Sequence, residues 1–298
     1  MNAPEEIDLP PVDDAKTSEW IVVLAAAGLN YRLSYAAGQW AIHVPETEFE
    51  SATRELTAYE EEFRAWERAR LEPPEPWVRG DDSWSPVWVA ATLIACYAWL
   101  GSYGEGRAPA LAAAMDTDRF FAGEWWRAIT ALTVHSDLGH LAGNVACILL
   151  FGHVACQAFG AGLSWMLILA CGLVGNAAAA WLHGPGHVSV GASTACFGAL
   201  GLLSASQAIR NLRQFGFSPG IRRRAWLPVG AGVALLTLLG TGPQSDLLAH
   251  LFGFAAGLAV CLPFLRQGLP HLSPGAQQAL QLLALAILMT ALRLVLAR

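Results

Sequence analysis

The chain has 298 residues, of which 54% are hydrophobic and only 14% charged, against roughly 25% charged in an ordinary soluble domain. Residues 1–84 hold 18 acidic and 7 basic residues, a net charge of −11, while residues 85–298 hold 6 acidic and 11 basic, a net charge of +5. That split excludes a uniformly soluble chain and, with no basic stripe on the polar part, a nucleic-acid partner.

Residues 1–16, acidic and carrying three prolines, read as a disordered tail, and the stretch from Met1 to Ala15 lacks the basic start of a secretory signal. Residues 17–70 read as a small α-β-β-α soluble domain. Thr17-Ser18-Glu19 caps a helix that stops near Gly28, and alternation over Tyr31–Tyr35 and Trp40–Val44 predicts two strands joined by a turn. Phe49, Ala52, Leu56, Tyr59 and Phe63 then recur at helical spacing. This domain offers no catalytic cluster, and His43 reads as a lone strand residue. Residues 71–84, with Pro73-Pro74-Glu75-Pro76, form a linker.

Seven apolar spans follow, near 86–102, 139–159, 162–183, 190–208, 225–241, 247–265 and 276–296. The first six lack Lys, Arg, Asp and Glu, and the seventh carries Arg293 near its end, where it can snorkel. The expected fold is therefore an all-α polytopic membrane protein behind a small α+β domain, with six spans in residues 85–266 and a seventh in 267–298. The connection 103–138 sets Phe120, Phe121, Trp125 and Trp126 beside Arg119 and Arg127, a mixture suited to the membrane interface. Arg210, Arg213, Arg222, Arg223 and Arg224 mark the loop after the fourth span as cytoplasmic. Counting back, the N-terminal domain is cytoplasmic and the 103–138 connection lies outside. The six cysteines all fall in apolar runs without a C-x-x-C and read as small buried hydrophobes.

One polar residue stands out. Ser193, in Val190-Gly191-Ala192-Ser193, opens the fourth span 17 residues before Arg210, and His250 opens the sixth 16 residues before Arg266. At about 1.5 Å per residue both lie roughly 24–26 Å from their arginine anchors, hence at one depth in a core about 30 Å thick. His140 and Asn144 open the second span, sharing a helical face, and Asn144 reaches a similar height if Gly160 marks a turn. A buried serine ordinarily bonds back to its own helix. Here His250 is placed to take its proton, and Asn144, His140 and the Ser193 N–H are candidate donors to a developing oxyanion. Phe197, one turn after Ser193, is placed to pack the His250 ring. Gly253 and Gly257 form a small-xxx-small pair for close approach of the fourth and sixth spans. Asp246 reads as a helix N-cap rather than the third member of a triad. His153, His183, His187 and His271 have no partner at useful spacing, and the chain has no H-E-x-x-H, so no metal or cofactor is expected.

These residues resemble the rhomboid family of intramembrane serine proteases. Trp126-Arg127, His135 with His140 and Asn144 in the spacing H-x4-H-x3-N, Gly191-Ala192-Ser193 with Phe197 and Gly198, and Ala249-His250-Leu251-Phe252-Gly253 with Gly257 are each similar to one of its motifs. The family has Gly after the nucleophile where this chain has Thr194, a larger residue expected to narrow the space beside Ser193. The resemblance implies a Ser-His dyad without an acid, cleavage of transmembrane protein substrates near the outer face, and a bacterial inner membrane as the location. Two other readings compete. Loss of Ser193 or His250 would favour a relative that binds transmembrane clients without cutting them, and both residues are present. A transporter would show midplane polar residues and internal repeats.

Overall fold

The computed structural model describes residues 6–36, 38–71, 84–215, 225–240, 245–267 and 272–297. They fall into two compact units, one spanning Met1–Pro74 and Leu212–Arg224, the other Glu75–Asn211 and Ala225–Arg298.

The first unit runs β1 (Glu6–Asp8), α1 (Asp14–Ala26), β2 (Arg32–Ala36), β3 (Gln39–Pro45) and α2 (Glu46–Leu71). The sheet is antiparallel in the order β1-β3-β2, with Ile7 opposite Val44 and Leu33 opposite Ile42. Its inner face packs Ile42 and Val44 against Trp20 and Leu24 of α1 and Ala52 and Leu56 of α2. Trp20 Nε1 donates to Glu60 Oε1 at 2.9 Å, satisfying the indole where the two helices meet.

The reading of residues 1–16 as a disordered tail is corrected over residues 6–16, while residues 1–5 lie outside the described residues. Residues 6–8 form a strand on the free edge of β3, and Leu9 is buried in the core. Three residues are too few to show an alternation, so only the long-range pairing reveals them. The cap of α1 is Asp13, accepting from Lys16 N–H at 2.8 Å, so the helix starts earlier than Thr17. Nor is His43 alone. Its Nε2 lies 2.6 Å from Ser34 Oγ and its Nδ1 2.5 Å from Asp8 Oδ1. Asp8 sits directly opposite His43 in the register and Ser34 diagonally across from it, so the three make a polar cross-strand cluster.

Among the described residues of the second unit three helices are long and apolar enough to cross a membrane, Leu138–Phe159, Ala161–His183 and Pro274–Leu296. Ser85–Leu100, Leu227–Gly240 and Leu247–Cys261 are shorter apolar helices, and Ser193–Phe215 carries the serine at its first residue. Trp88, Leu150, Trp181, Leu238 and Leu282 point outward, the reverse of a water-facing surface. The positive φ of Gly160 makes the turn between Leu138–Phe159 and Ala161–His183. Gln277 of the last long helix bridges that turn. Its Nε2 donates to the Phe159 carbonyl at 2.7 Å and its Oε1 accepts from Leu163 N–H at 2.9 Å.

The connection after Ser85–Leu100 holds short helices at Ala108–Ala113, Thr117–Phe121 and Arg127–Thr130, and a strand, β4 (Met115–Asp116), paired with β5 (Val188–Ser189). Trp125 and Phe121 are exposed, as an interfacial segment requires, but Trp126 and Arg127 are buried. Arg127 Nε donates to Glu124 Oε2 at 2.6 Å and Nη1 to the Ala114 carbonyl at 2.7 Å. Thr130 Oγ1 donates to the Ala113 carbonyl at 2.7 Å. This half of the connection is thus a folded buttress whose buried guanidinium is paired with a carboxylate and a carbonyl. Asn176 Nδ2 ties it to Ala161–His183 through the Ala128 carbonyl at 2.9 Å.

Candidate active site

Ser193 begins its helix just after Gly191, whose φ of 123° only glycine adopts without strain. Gly191 N–H donates to the Ala131 carbonyl at 2.9 Å, fixing the approach of the chain. Position 191 also has no room for a side chain. A Cβ there would lie 2.6 Å from His140 Nε2 and 3.5 Å from Ser193 Oγ. The missing side chain is what lets the His140 ring stand beside the serine.

His250, 4% exposed, projects from the first turn of Leu247–Cys261, and its Nε2 is 2.7 Å from Ser193 Oγ. Its Nδ1 lies 3.1 Å from the Gly240 carbonyl. A carbonyl only accepts, so Nδ1 carries the proton and Nε2 presents its lone pair to the serine hydroxyl. Gly240 ends Leu227–Gly240, where the last carbonyls have no partner within the helix and the dipole is negative. It therefore orients the ring, one of the tasks an aspartate performs in a triad. Residue spacing carries no sign of this contact, because every residue has a carbonyl. Phe197 packs on the ring, centroids 4.6 Å apart.

The Ser193 and His250 helices meet backbone to backbone. A Cβ at Gly253 would overlap the Thr194 carbonyl, and one at Gly257 would overlap the Gly198 carbonyl. Thr194 does not crowd the serine, as the sequence suggested. Its γ-methyl faces Gly175 of Ala161–His183, where a Cβ would sit 2.6 Å from that methyl and 2.8 Å from Gly253 N. Thr194 thus fills the seam of three helices. Thr194→Gly is expected to lower stability by about 1–3 kcal/mol through the lost methyl, the cavity and the helix penalty of Gly, with no gain in reactivity. Thermal unfolding beside active-site labelling checks this.

Asp137 caps Leu138–Phe159 by accepting from His140 N–H at 2.9 Å, and that bond holds its carboxyl below the usual range. Ser136 Oγ lies 2.8 Å from Asp137 Oδ2 and 3.1 Å from His140 Nδ1. Asn144, 4% exposed, donates one Nδ2 hydrogen to the His140 carbonyl at 3.0 Å, and the other is left to point elsewhere. The helix widens into a π turn at Ile148–Gly152, directly after this face. His135 is fully buried, set edge-on to the His140 ring with centroids 5.2 Å apart. Burial pushes its imidazole down to about 3, so it packs as a neutral ring.

Asp246 caps its helix as its sequence reading had it, and three histidines behave differently from theirs. Asp246 is the cap of the His250 helix, accepting from Ala249 N–H at 3.0 Å. The same carboxylate takes His183 Nε2 at 3.1 Å and His187 Nε2 at 2.9 Å. These two histidines therefore have a partner, about sixty residues away in sequence and beyond any local spacing rule. His153 bonds Gln157 at 3.0 Å, and His271 lies outside the described residues.

Residues 122–267 match the family model described as "Rhomboid domain". The chain is 32% identical over 143 residues to "Rhomboid protease GluP" of Bacillus subtilis (strain 168), covering 47% of this chain and 27% of that protein. It is 28% identical over 135 residues to "Putative rhomboid protease YdcA" of the same organism, covering 45% and 65%. With "Rhomboid-like protease 3" of Toxoplasma gondii the figures are 29% over 135 residues, 45% and 50%. The matched stretch is thus under two thirds of each relative's length. It holds Ser193, His250, His140, Asn144 and Trp126-Arg127, on several apolar helices, and the chain is a multi-pass membrane protein that carries a rhomboid domain over residues 122–267.

Proposed function

We propose that this protein is an intramembrane serine endopeptidase that cuts transmembrane segments of other membrane proteins near the outer face. The observation that carries the reading is the contact of Ser193 Oγ with a His250 nitrogen whose partner nitrogen is held by the Gly240 carbonyl. His250 takes the serine proton as Oγ attacks the scissile carbonyl carbon. The oxygen that becomes negative faces the Ser193 N–H, an orphan donor of the helix start, together with Asn144 and His140. His140 donates from Nε2 when the Ser136 hydroxyl turns its single proton to Nδ1 rather than to Asp137. The imidazolium then protonates the leaving amine. Water hydrolyses the acyl-enzyme with His250 again as base, restoring the serine.

In this reading six helices from Ser85–Leu100 to Leu247–Cys261 form the catalytic core and Pro274–Leu296 adds a seventh span, in a bacterial inner membrane. The N-terminal unit is cytoplasmic and supplies no reacting group. A cysteine introduced near Gly106 should be labelled in intact cells by an impermeant maleimide, and one near Ser218 should not. Cys147, the native cysteine that is not fully buried, is best replaced by serine first. The reverse pattern would put the site on the cytoplasmic face.

Cleavage of a transmembrane reporter in proteoliposomes tests the activity. A rhomboid relative that only binds clients would cut nothing across a broad reporter panel, yet still retain them.

A further inference from the structure

Outside the Ser193–His250 pair, His183, His187 and Asp246 bring two imidazole nitrogens and two carboxylate oxygens to one point. One ligand atom from each lies within 4.8 Å of the other two. The His183 and His187 rings stack face to face, centroids 3.7 Å apart and 12° from parallel, so that both Nε2 atoms aim the same way. We propose that this cluster is a binding site for a divalent transition-metal ion, with Zn²⁺ the best fit, separate from the hydrolytic chemistry.

Three features suit this cluster to an ion. The donors are the first. Two neutral imidazoles and a carboxylate suit Zn²⁺ and disfavour Ca²⁺ or Mg²⁺, which take oxygen ligands. Spacing is the second. Zn–N and Zn–O bonds of about 2.0–2.2 Å place neighbouring tetrahedral donors roughly 3.3 Å apart, and the two nitrogen–oxygen distances here, 3.1 and 2.9 Å, are hydrogen-bond lengths as they stand and close to that separation. Ligation moves each ring's proton from the Nε2 that donates to Asp246 onto Nδ1 and tilts the stacked rings so that their lone pairs converge on the ion.

The third is preorganisation. His183 ends the helix Ala161–His183. The His187 backbone is clamped by Thr117, whose N–H and Oγ1 donate to the His187 carbonyl at 3.0 and 3.1 Å, and it leads into the β4–β5 pair. Asp246 is held by its capping bond to Ala249 N–H. The two histidine side chains remain 26% and 31% exposed, which leaves a path for the ion and a coordination position for water. A bound ion joins the end of one helix and the strand before Ser193 to the cap of the helix carrying His250.

The test uses the full-length protein in detergent, stripped with chelator and titrated with ZnCl₂ by calorimetry. Wild type and Ser193→Ala are expected to bind one equivalent alike, since the site does not depend on the protease reading. Loss of an outer-shell partner alone costs about 10–100-fold in affinity, so removing two ligands in His183→Gln with His187→Gln should cost at least about 100-fold. Glutamine still donates to Asp246, so the hydrogen-bonded trio survives and only the ligation is lost. Should that pair fail to fold, Asp246→Asn, which keeps the cap, should show the same weakening. No saturable binding by wild type, or equal affinity in the glutamine pair or in Asp246→Asn, overturns the proposal.

Discussion

Ser193→Ala should abolish cleavage of a transmembrane reporter while leaving the protein folded. The substitution removes one oxygen and one hydrogen bond to His250, worth about 0.5–1.5 kcal/mol of stability, and leaves the seam at Thr194, Gly253 and Gly257 untouched. Its effect on turnover is of another order, because no other group can form the acyl intermediate. In a serine protease whose nucleophile and base act as a unit, losing either costs on the order of 10⁶ in kcat, and losing both costs little more. His250→Ala should therefore match Ser193→Ala, and the double variant should be no worse than either. The His250 variant will also lose stability, since it empties the space against Phe197 and frees the Gly240 carbonyl. Single-turnover cleavage in proteoliposomes, with thermal unfolding of each variant, separates the two effects.

Asn144→Ala and His140→Ala should each slow cleavage by about 10²–10³, or roughly 2.7–4 kcal/mol in the barrier. Their cost to stability is expected to be smaller. The Asn144 amide is bonded to a carbonyl of its own helix, and a membrane hydrogen bond of that kind is worth about 0.6–2 kcal/mol. An interaction aimed at charge that exists only in the transition state lowers turnover without lowering the melting temperature in proportion. A packing role would move the two together. Equal proportional losses in activity and folded fraction would remove both residues from the oxyanion role.

The parts of this arrangement that sequence made legible are those with a period or a depth. Ser193 and His250 could be placed at one height because each opens a charge-free run ending at an arginine. Gly253 and Gly257 could be paired because small residues four apart share a helix face. The strands around Tyr35 and Trp40 alternated over enough residues to be read. What stayed hidden depends on groups without side-chain identity or on long-range pairing. The Gly240 carbonyl that orients His250 is a backbone atom. Residues 6–8 become a strand only because β3 offers a free edge. Arg127 reads as interfacial from its aromatic neighbours, yet Glu124 and the Ala114 carbonyl take it inside. Thr194 looked like an obstacle to Ser193 because composition gives its size and not its direction. Its methyl turns toward Gly175, whose missing side chain makes the space.

The most direct measurement of the central claim is the site of covalent modification by a fluorophosphonate. Wild-type protein in detergent should form a one-to-one adduct mapping by peptide mass to Ser193, and His250→Ala should suppress it, because the hydroxyl reacts only when His250 takes its proton. An absence of adduct in folded wild type, or labelling of Ser193 that persists undiminished in His250→Ala, would contradict the dyad.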